Sequence, residues 1–199
     1  MSVIDTTWNV TLDTERLVLR PLQPADYMMW YAGFSRRLPA QRPYDPGRVD
    51  LTGCNQEWFN ALCQRHQRLA IDDQVYIWGI FLRTTGIHLG AIDIATIRRA
   101  ENQWANLGYS IHNQHWRQGF AKEAVKIALV AGFQDLHYHR IEAAINVDNH
   151  PSIALARAVG MQHEGMRRGF FYEHDAWADH VIYASIPSDV GLPEVVPQT

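Results

Sequence analysis

The chain has 199 residues, enough for one domain, and 47% of them are hydrophobic against 20% charged, an ordinary balance for a globular protein with a real core. A formal charge of −3 leaves no cationic footprint for nucleic acid, and the doublets Arg36-Arg37, Arg98-Arg99 and Arg167-Arg168 are too short and scattered for a polybasic tract. The opening MSVIDTTWNV lacks the basic stretch and apolar core of a secretion leader, and no apolar run approaches the ~20 residues of a membrane span, so a cytoplasmic protein with no membrane partner is expected.

Residues 15–22 alternate polar and apolar side chains and predict an opening strand. Pro24 then starts a helix through Trp30, in a first turn where proline is tolerated. Residues 36–47, RRLPAQRPYDPG, hold three prolines and a glycine and predict a long loop, a place where function often resides. Leu51, Trp58, Phe59, Leu62 and Leu69 recur at roughly helical spacing and predict a second helix over 50–69, carrying both cysteines, Cys54 and Cys63. Nine residues at a helical rise would hold these about 13 Å apart, past the ~7 Å reach of a disulfide, so two reduced thiols are expected.

The β-branched and aromatic run 75–82, followed after a short turn by 89–97, predicts a hairpin. A strand over 104–111 follows the polar turn 98–103, and Ala124, Ile127, Ala128, Val130, Ala131 and Phe133 mark an amphipathic helix. A strand over 141–147, a helix over 152–159 closed by Gly160, and strands over 161–168 and 178–186 complete the order. The remainder, PSDVGLPEVVPQT, is expected to be a loose tail. An antiparallel meander joined to strand–helix–strand crossovers makes the fold class α+β, or mixed α/β, around one twisted sheet of about seven strands. One domain over 1–186 with a tail over 187–199 follows. Trp30, Trp58, Tyr76 and Trp78 are assigned mainly to the core.

The stretch HWRQGFAKEA, residues 115–124, lies between a predicted strand and a predicted helix. The first N–H groups of a helix have no partner within it and sit at the positive end of its dipole. A glycine there lets the backbone curl around an anion, so Gly119 and its neighbours can hold a pyrophosphate by main chain alone, with Arg117 and Lys122 adding charge at the edge. The alternative is a plain turn that starts a helix. Neither the dinucleotide fingerprint nor a P-loop is present.

The run NLGYSIHNQHWRQGFAKEAVKIALVAGF resembles the acetyl-CoA-binding motif of the GNAT superfamily of N-acetyltransferases. Trp116, Gly119, Phe120, Ala121, Glu123 and Ala124 fit the W-x-x-G-[YF]-A-x-E-A version found in the subgroup resembling ribosomal-protein N-terminal (alanine) acetyltransferases. Asn149, Ser152, Gly160, Met161, Glu164 and Gly165 resemble that subgroup's second motif, Trp177 and Asp179 its late W-x-D, and TERLVLRPLQPAD its opening. The resemblance covers about residues 13–186.

It implies a single GNAT-like domain with helices on both faces of the sheet. The strands 104–111 and 141–147 would splay apart to take the pantetheine arm of acetyl-CoA as a co-substrate. The backbone near Ile111 and Asn113 would meet that arm, and Arg117, Gln118, Gly119, Phe120, Ala121 and Lys122 would hold the pyrophosphate. Asn149 would bond the arm, and Ser152 would protonate the departing thiolate, although Asn-His-Pro-Ser is equally a helix start with Ser152 near the cap. No glutamate stands at the subgroup's place for a base, which leaves Glu173, His174, Asp175 or water to accept the proton of the amine. The implied acceptor is a peptide or small-molecule amine contacted by the loop around residues 42–46. A homodimer is among the assemblies the resemblance allows. The alternatives are a transferase for a longer acyl-CoA and a non-catalytic acyl-CoA-binding module. Ten histidines, among them His112, His115, His137 and His139, complete no ligand set, so no metal is expected and they are assigned to the surface and to helix ends.

Overall fold

The computed structural model describes residues 9–196. The start of MSVIDTTWNV before Asn9 and the tail residues 197–199 lie outside them. In chain order the elements are β1 (Leu12–Asp13), β2 (Leu17–Arg20), α1 (Tyr27–Ser35), α2 (Gln56–Ile71), β3 (Val75–Leu82), β4 (His88–Arg98), β5 (Trp104–Ile111), α3 (Phe120–Gln134), β6 (Arg140–Asn146), α4 (His150–Ala158), β7 (Gln162–Glu173) and β8 (Ala176–Ser185). Short 3₁₀ turns stand at Pro24–Asp26, Asn113–His115 and Pro187–Val190.

One mixed sheet runs in the order β1-β2-β3-β4-β5-β6-β8-β7. It has eight strands rather than about seven, because the two-residue β1 pairs antiparallel with β2 (Leu12 opposite Leu19) and is too short to show any alternation. β5 and β6 pair in parallel; β6 with β8 and β8 with β7 are antiparallel. The chain divides into two compact units: one holds residues up to Asp93 with Tyr109–Ala128, the other Ile94–Gly108 with Leu129 onward.

In the first unit Leu22, Trp30, Phe59, Cys63 and Phe81 form a buried cluster, with Tyr27, Phe34 and Leu62 packed on it. The predicted second helix starts six residues late. Asn55 caps it by accepting from the Trp58 N–H at 2.9 Å, and Leu51 and Cys54 lie in the turn before it. Cap chemistry outweighs apolar spacing at that boundary. Cys54 is therefore not helical; both cysteines are free, and burial, followed by the charge of Asp26, pushes the Cys63 thiol up to about 11. Trp30, Tyr76 and Trp78 are core residues, whereas Trp58 is 41% exposed.

In the second unit α3 closes on the sheet at Gly132, where an added Cβ would stand 2.3 Å from Ile141 Cδ1 and 3.0 Å from Ile94 Cδ1. α4 ends as predicted, with Val159 as its C-cap and Gly160 beyond it. His137 and His139 lie in the turn before β6. Part of the expected loose tail is folded, since the Leu192 N–H donates to the Pro187 carbonyl at 2.9 Å. No described helix is long and apolar enough to cross a membrane.

Candidate active site

β5 ends at Ile111, and the chain must turn within eight residues to begin α3 at Phe120. Trp116 sets the turn: its indole N–H donates to the Ile111 carbonyl at 2.7 Å. Arg117 (φ 61°) and Gly119 (φ 81°) both take the left-handed conformation. Only glycine does so without a Cβ penalty, so Arg117 carries a local strain of order 1 kcal/mol that the surroundings must hold. Arg117, Gln118 and Gly119 are exposed, Phe120 is buried, and the loop delivers exposed N–H groups to the first turn of α3.

Glu123, in that same first turn, would repel an anion if left alone. It is instead engaged by the hydroxyl of Thr14, by the Arg16 N–H at 3.0 Å and by Arg16 Nε at 2.7 Å. Burial would raise this carboxyl, but those bonds hold it below the usual carboxylate range. Arg16 also donates through Nη1 to the Gln118 carbonyl at 2.9 Å, so that oxygen is engaged within the protein. Glu123 of the first motif thus docks α3 on the Thr14–Arg16 turn. A Cβ on Gly119 would approach Arg16 Nη2 to 3.3 Å and would face a backbone that L residues avoid.

Behind the loop lies a buried polar chain that the sequence reading missed. Asp45 accepts four hydrogen bonds, each at 2.9 Å, from Arg37 Nη2, the Gly47 N–H, the Gln41 N–H and Asn113 Nδ2. Burial works to raise its pKa, yet these bonds together hold it below the carboxylate range. The Asn113 side chain also grips Leu38 twice, accepting from its N–H at 2.8 Å and donating to its carbonyl at 2.9 Å. Arg37 reaches on to His112 Nδ1 at 3.2 Å. Arginine only donates, so the hydrogen of His112 sits on Nε2 and points to His88 Nδ1, 3.1 Å away. The hydrogen of His88 is then on Nε2, a buried atom with no partner among the described residues. Burial, with His88, Arg37 and His115 adding to it, takes the His112 imidazole down to about 3; burial, against the pull of Asp26, takes His88 down to about 4. Both rings are neutral. The assignment of the histidines to surfaces and helix ends is wrong for these two, at 1% exposure each, and for His180 in β8, at 3%. A histidine in an apolar setting has no sequence mark that tells burial from exposure. Among the described residues no group of three or more histidine, cysteine or carboxylate side chains could hold a metal ion.

In the second unit the parallel register pairs Trp104 with Arg140, Ala105 with Ile141 and Asn106 with Glu142. β6 then continues to Asn146 in register with β8. Three residues on, Asn149 caps α4 by accepting from the Ser152 N–H at 3.4 Å. The capping role that Ser152 could have filled belongs to Asn149, and Ser152 stands inside the first turn, half-buried. Of the three groups proposed as base, His174 and Asp175 are exposed in a left-handed turn. Glu173 is partly buried at the end of β7, bonded by the Asn146 amide and 3.6 Å from His180 Nε2. Two further motif residues make structural contacts: Glu164 pairs with Arg140, and Asp179 accepts from the Gly169 N–H at 2.7 Å across an irregular stretch of β7.

A family model described as an acetyltransferase (GNAT) domain matches residues 16–162. The uncharacterized N-acetyltransferase YoaA of Bacillus subtilis (strain 168) is 30% identical over 180 residues, covering 88% of this chain and 96% of that protein. The uncharacterized N-acetyltransferase p20 of Bacillus licheniformis is 32% identical over 162 residues, 80% of this chain and 86% of that one. Among solved structures, Mycobacterium smegmatis RimJ in complex with CoA-disulfide shares the fold with a TM-score of 0.75 at 20% identity, covering 95% of this chain and 92% of that one.

Proposed function

The chain belongs to the GNAT acetyltransferase family, and from that premise we propose that it moves the acetyl group of acetyl-CoA to a primary amine by direct attack on the thioester. The observation that carries this reading is the loop at the start of α3, where left-handed Arg117 and Gly119 open a nest of N–H groups. The backbone of Arg117, Gln118, Gly119, Phe120, Ala121 and Lys122 holds the pyrophosphate, and the backbone near Ile111 and Asn113 meets the pantetheine arm.

Acetyl-CoA supplies an activated acyl group, so the chain has only to position, donate and accept protons. Glu173 takes the proton of the attacking amine, directly or through water; its partial burial and its bond from Asn146 favour it over His174 and Asp175. Breaking the C–S bond leaves a thiolate, which Ser152 protonates while drawing a proton from solvent. Asn149 holds Ser152 in place through the α4 cap. Atoms balance as an amide and the free thiol of CoA.

Thiol release from acetyl-CoA across a panel of peptides, polyamines and aminoglycosides tests the reaction: release is expected with some amine and not without one. Absence of amine-dependent release across the panel would leave a binder, not an enzyme. Gly119→Val tests the pyrophosphate placement. A β-branched residue at φ 81° beside Arg16 must distort the nest, so CoA affinity measured by calorimetry is expected to fall by about tenfold or more. Unchanged affinity would move the pyrophosphate elsewhere.

A further inference from the structure

The 20 residues between Ser35 and Gln56 contain no helix or strand, yet the first half of this loop is firmly built. Arg37, Asp45 and Gly47 are buried and mutually bonded, with Arg37 Nε donating to the Gly47 carbonyl at 2.6 Å. Gly47 lies so close to Ala40 that a Cβ there would stand 2.3 Å from the Ala40 nitrogen. The loop is thus folded on itself and clamped to Asn113, at the end of β5. A loop this long with a saturated ionic base is a platform held ready before any ligand arrives.

Over residues 36–48 its outer face has one sign of charge, and the next carboxylate along the loop is the exposed Asp50. Residues 36–48 carry four arginines and a single carboxylate, Asp45. Folding buries that carboxylate against Arg37 and leaves Arg36, Arg42 and Arg48 exposed, with no ion pair among the described residues. Arg36 and Arg48 adjoin Arg37 and Gly47, which are bonded to each other, so the two leave the chain at neighbouring points. Arg42 lies over the ring of Trp116, 5.4 Å from its centroid, beside the Gly119 loop. A chain with an excess of acidic residues has gathered three uncompensated cations on one preformed loop next to its anion-binding turn.

Resting on the acetyltransferase reading, we infer that the acceptor is an amine on an acidic body, the N-terminus of an acidic peptide or protein segment, drawn in by Arg36, Arg42 and Arg48. Polyamines and aminoglycosides, themselves polycations, meet like charge here and are rejected. Opposite charge speeds encounter and like charge excludes wrong partners.

The test uses the full chain and short peptides that share an N-terminal alanine and continue with either glutamates or lysines, with spermidine as a third acceptor. Thiol release from acetyl-CoA should give a kcat/KM for the acidic peptide about tenfold or more above the others, shrinking as salt is added. Arg36→Glu with Arg48→Glu should erase or invert that preference while CoA affinity by calorimetry stays as in the parent. Anisotropy of labelled peptides, with and without CoA, reads the same preference without turnover. Equal use of both peptides, a preference for lysines or spermidine, or an unchanged preference in the double variant overturns the inference. Failure to bind CoA would instead bring down the acetyltransferase reading, and the anisotropy would still decide whether this loop takes acidic peptides.

Discussion

Ser152→Ala is expected to lower the rate of acetyl transfer by roughly 10²–10⁴, the range for loss of a positioned acid. Affinity for acetyl-CoA should change little, because the hydroxyl acts as the C–S bond breaks. Stability should also change little, and here the structure sharpens the test. The cap of α4 is the Asn149 side chain bonded to the Ser152 N–H, a backbone group that alanine retains. Loss of the cap itself, through Asn149→Ala, should cost roughly 0.5–2 kcal/mol. Ser152→Asp adds a discriminating arm. An aspartate in the first turn suits the helix dipole, so the variant should fold, but its anion opposes a developing thiolate. A folded Ser152→Asp enzyme with parental turnover would remove Ser152 from the chemistry and leave the thiolate to depart with water alone.

The second large effect concerns acid stability. His88 and His112 are pulled down to about 4 and about 3 from an ordinary 6.5. Below pH 6.5 the unfolded chain takes up protons that the folded chain refuses, so unfolding gains ground as pH falls. The stabilisation is complete above pH 6.5 and drains away as pH drops toward 4 and then 3. Two rings over two pH units amount to on the order of 5 kcal/mol by pH 4.5, comparable to the whole stability of many domains. His66, lowered to about 4 by burial and Arg65, adds in the same direction. Asp45, Glu123 and Glu164 sit below the carboxylate range, so their losses begin only under about pH 4.5. Urea unfolding at pH 7 and pH 4.5 should therefore show a steep drop, and His88→Phe, in a site between Phe34 and Phe81, should shrink it markedly. A flat free energy between those pH values would mean that the rings titrate normally.

The local elements were legible because their cause is local. The β-branched and aromatic run 75–82 placed β3, and the polar turn 98–103 placed β5 after it, both to the residue. The strand–glycine–helix order located the Gly119 loop, and motif spacing located Asn149 and Ser152. Errors arose where a different local rule won, as when Asn55 rather than Leu51 set the start of α2.

By itself, then, the sequence determined most of the elements, the family and the glycine turn that opens α3 at Gly119. Only the tertiary structure decided what the polar residues between those elements do. Arg36 and Arg37 read as one short basic doublet, yet folding puts Arg37 in a buried chain with Asp45 and His112 and leaves Arg36 in solvent. Leu38 meets Asn113 across 75 positions, a pairing that no periodicity encodes. A side chain's charge and hydrogen-bonding capacity are written in its residue type. Whether water or another chain segment satisfies them depends on contacts that form only when distant segments close on one another.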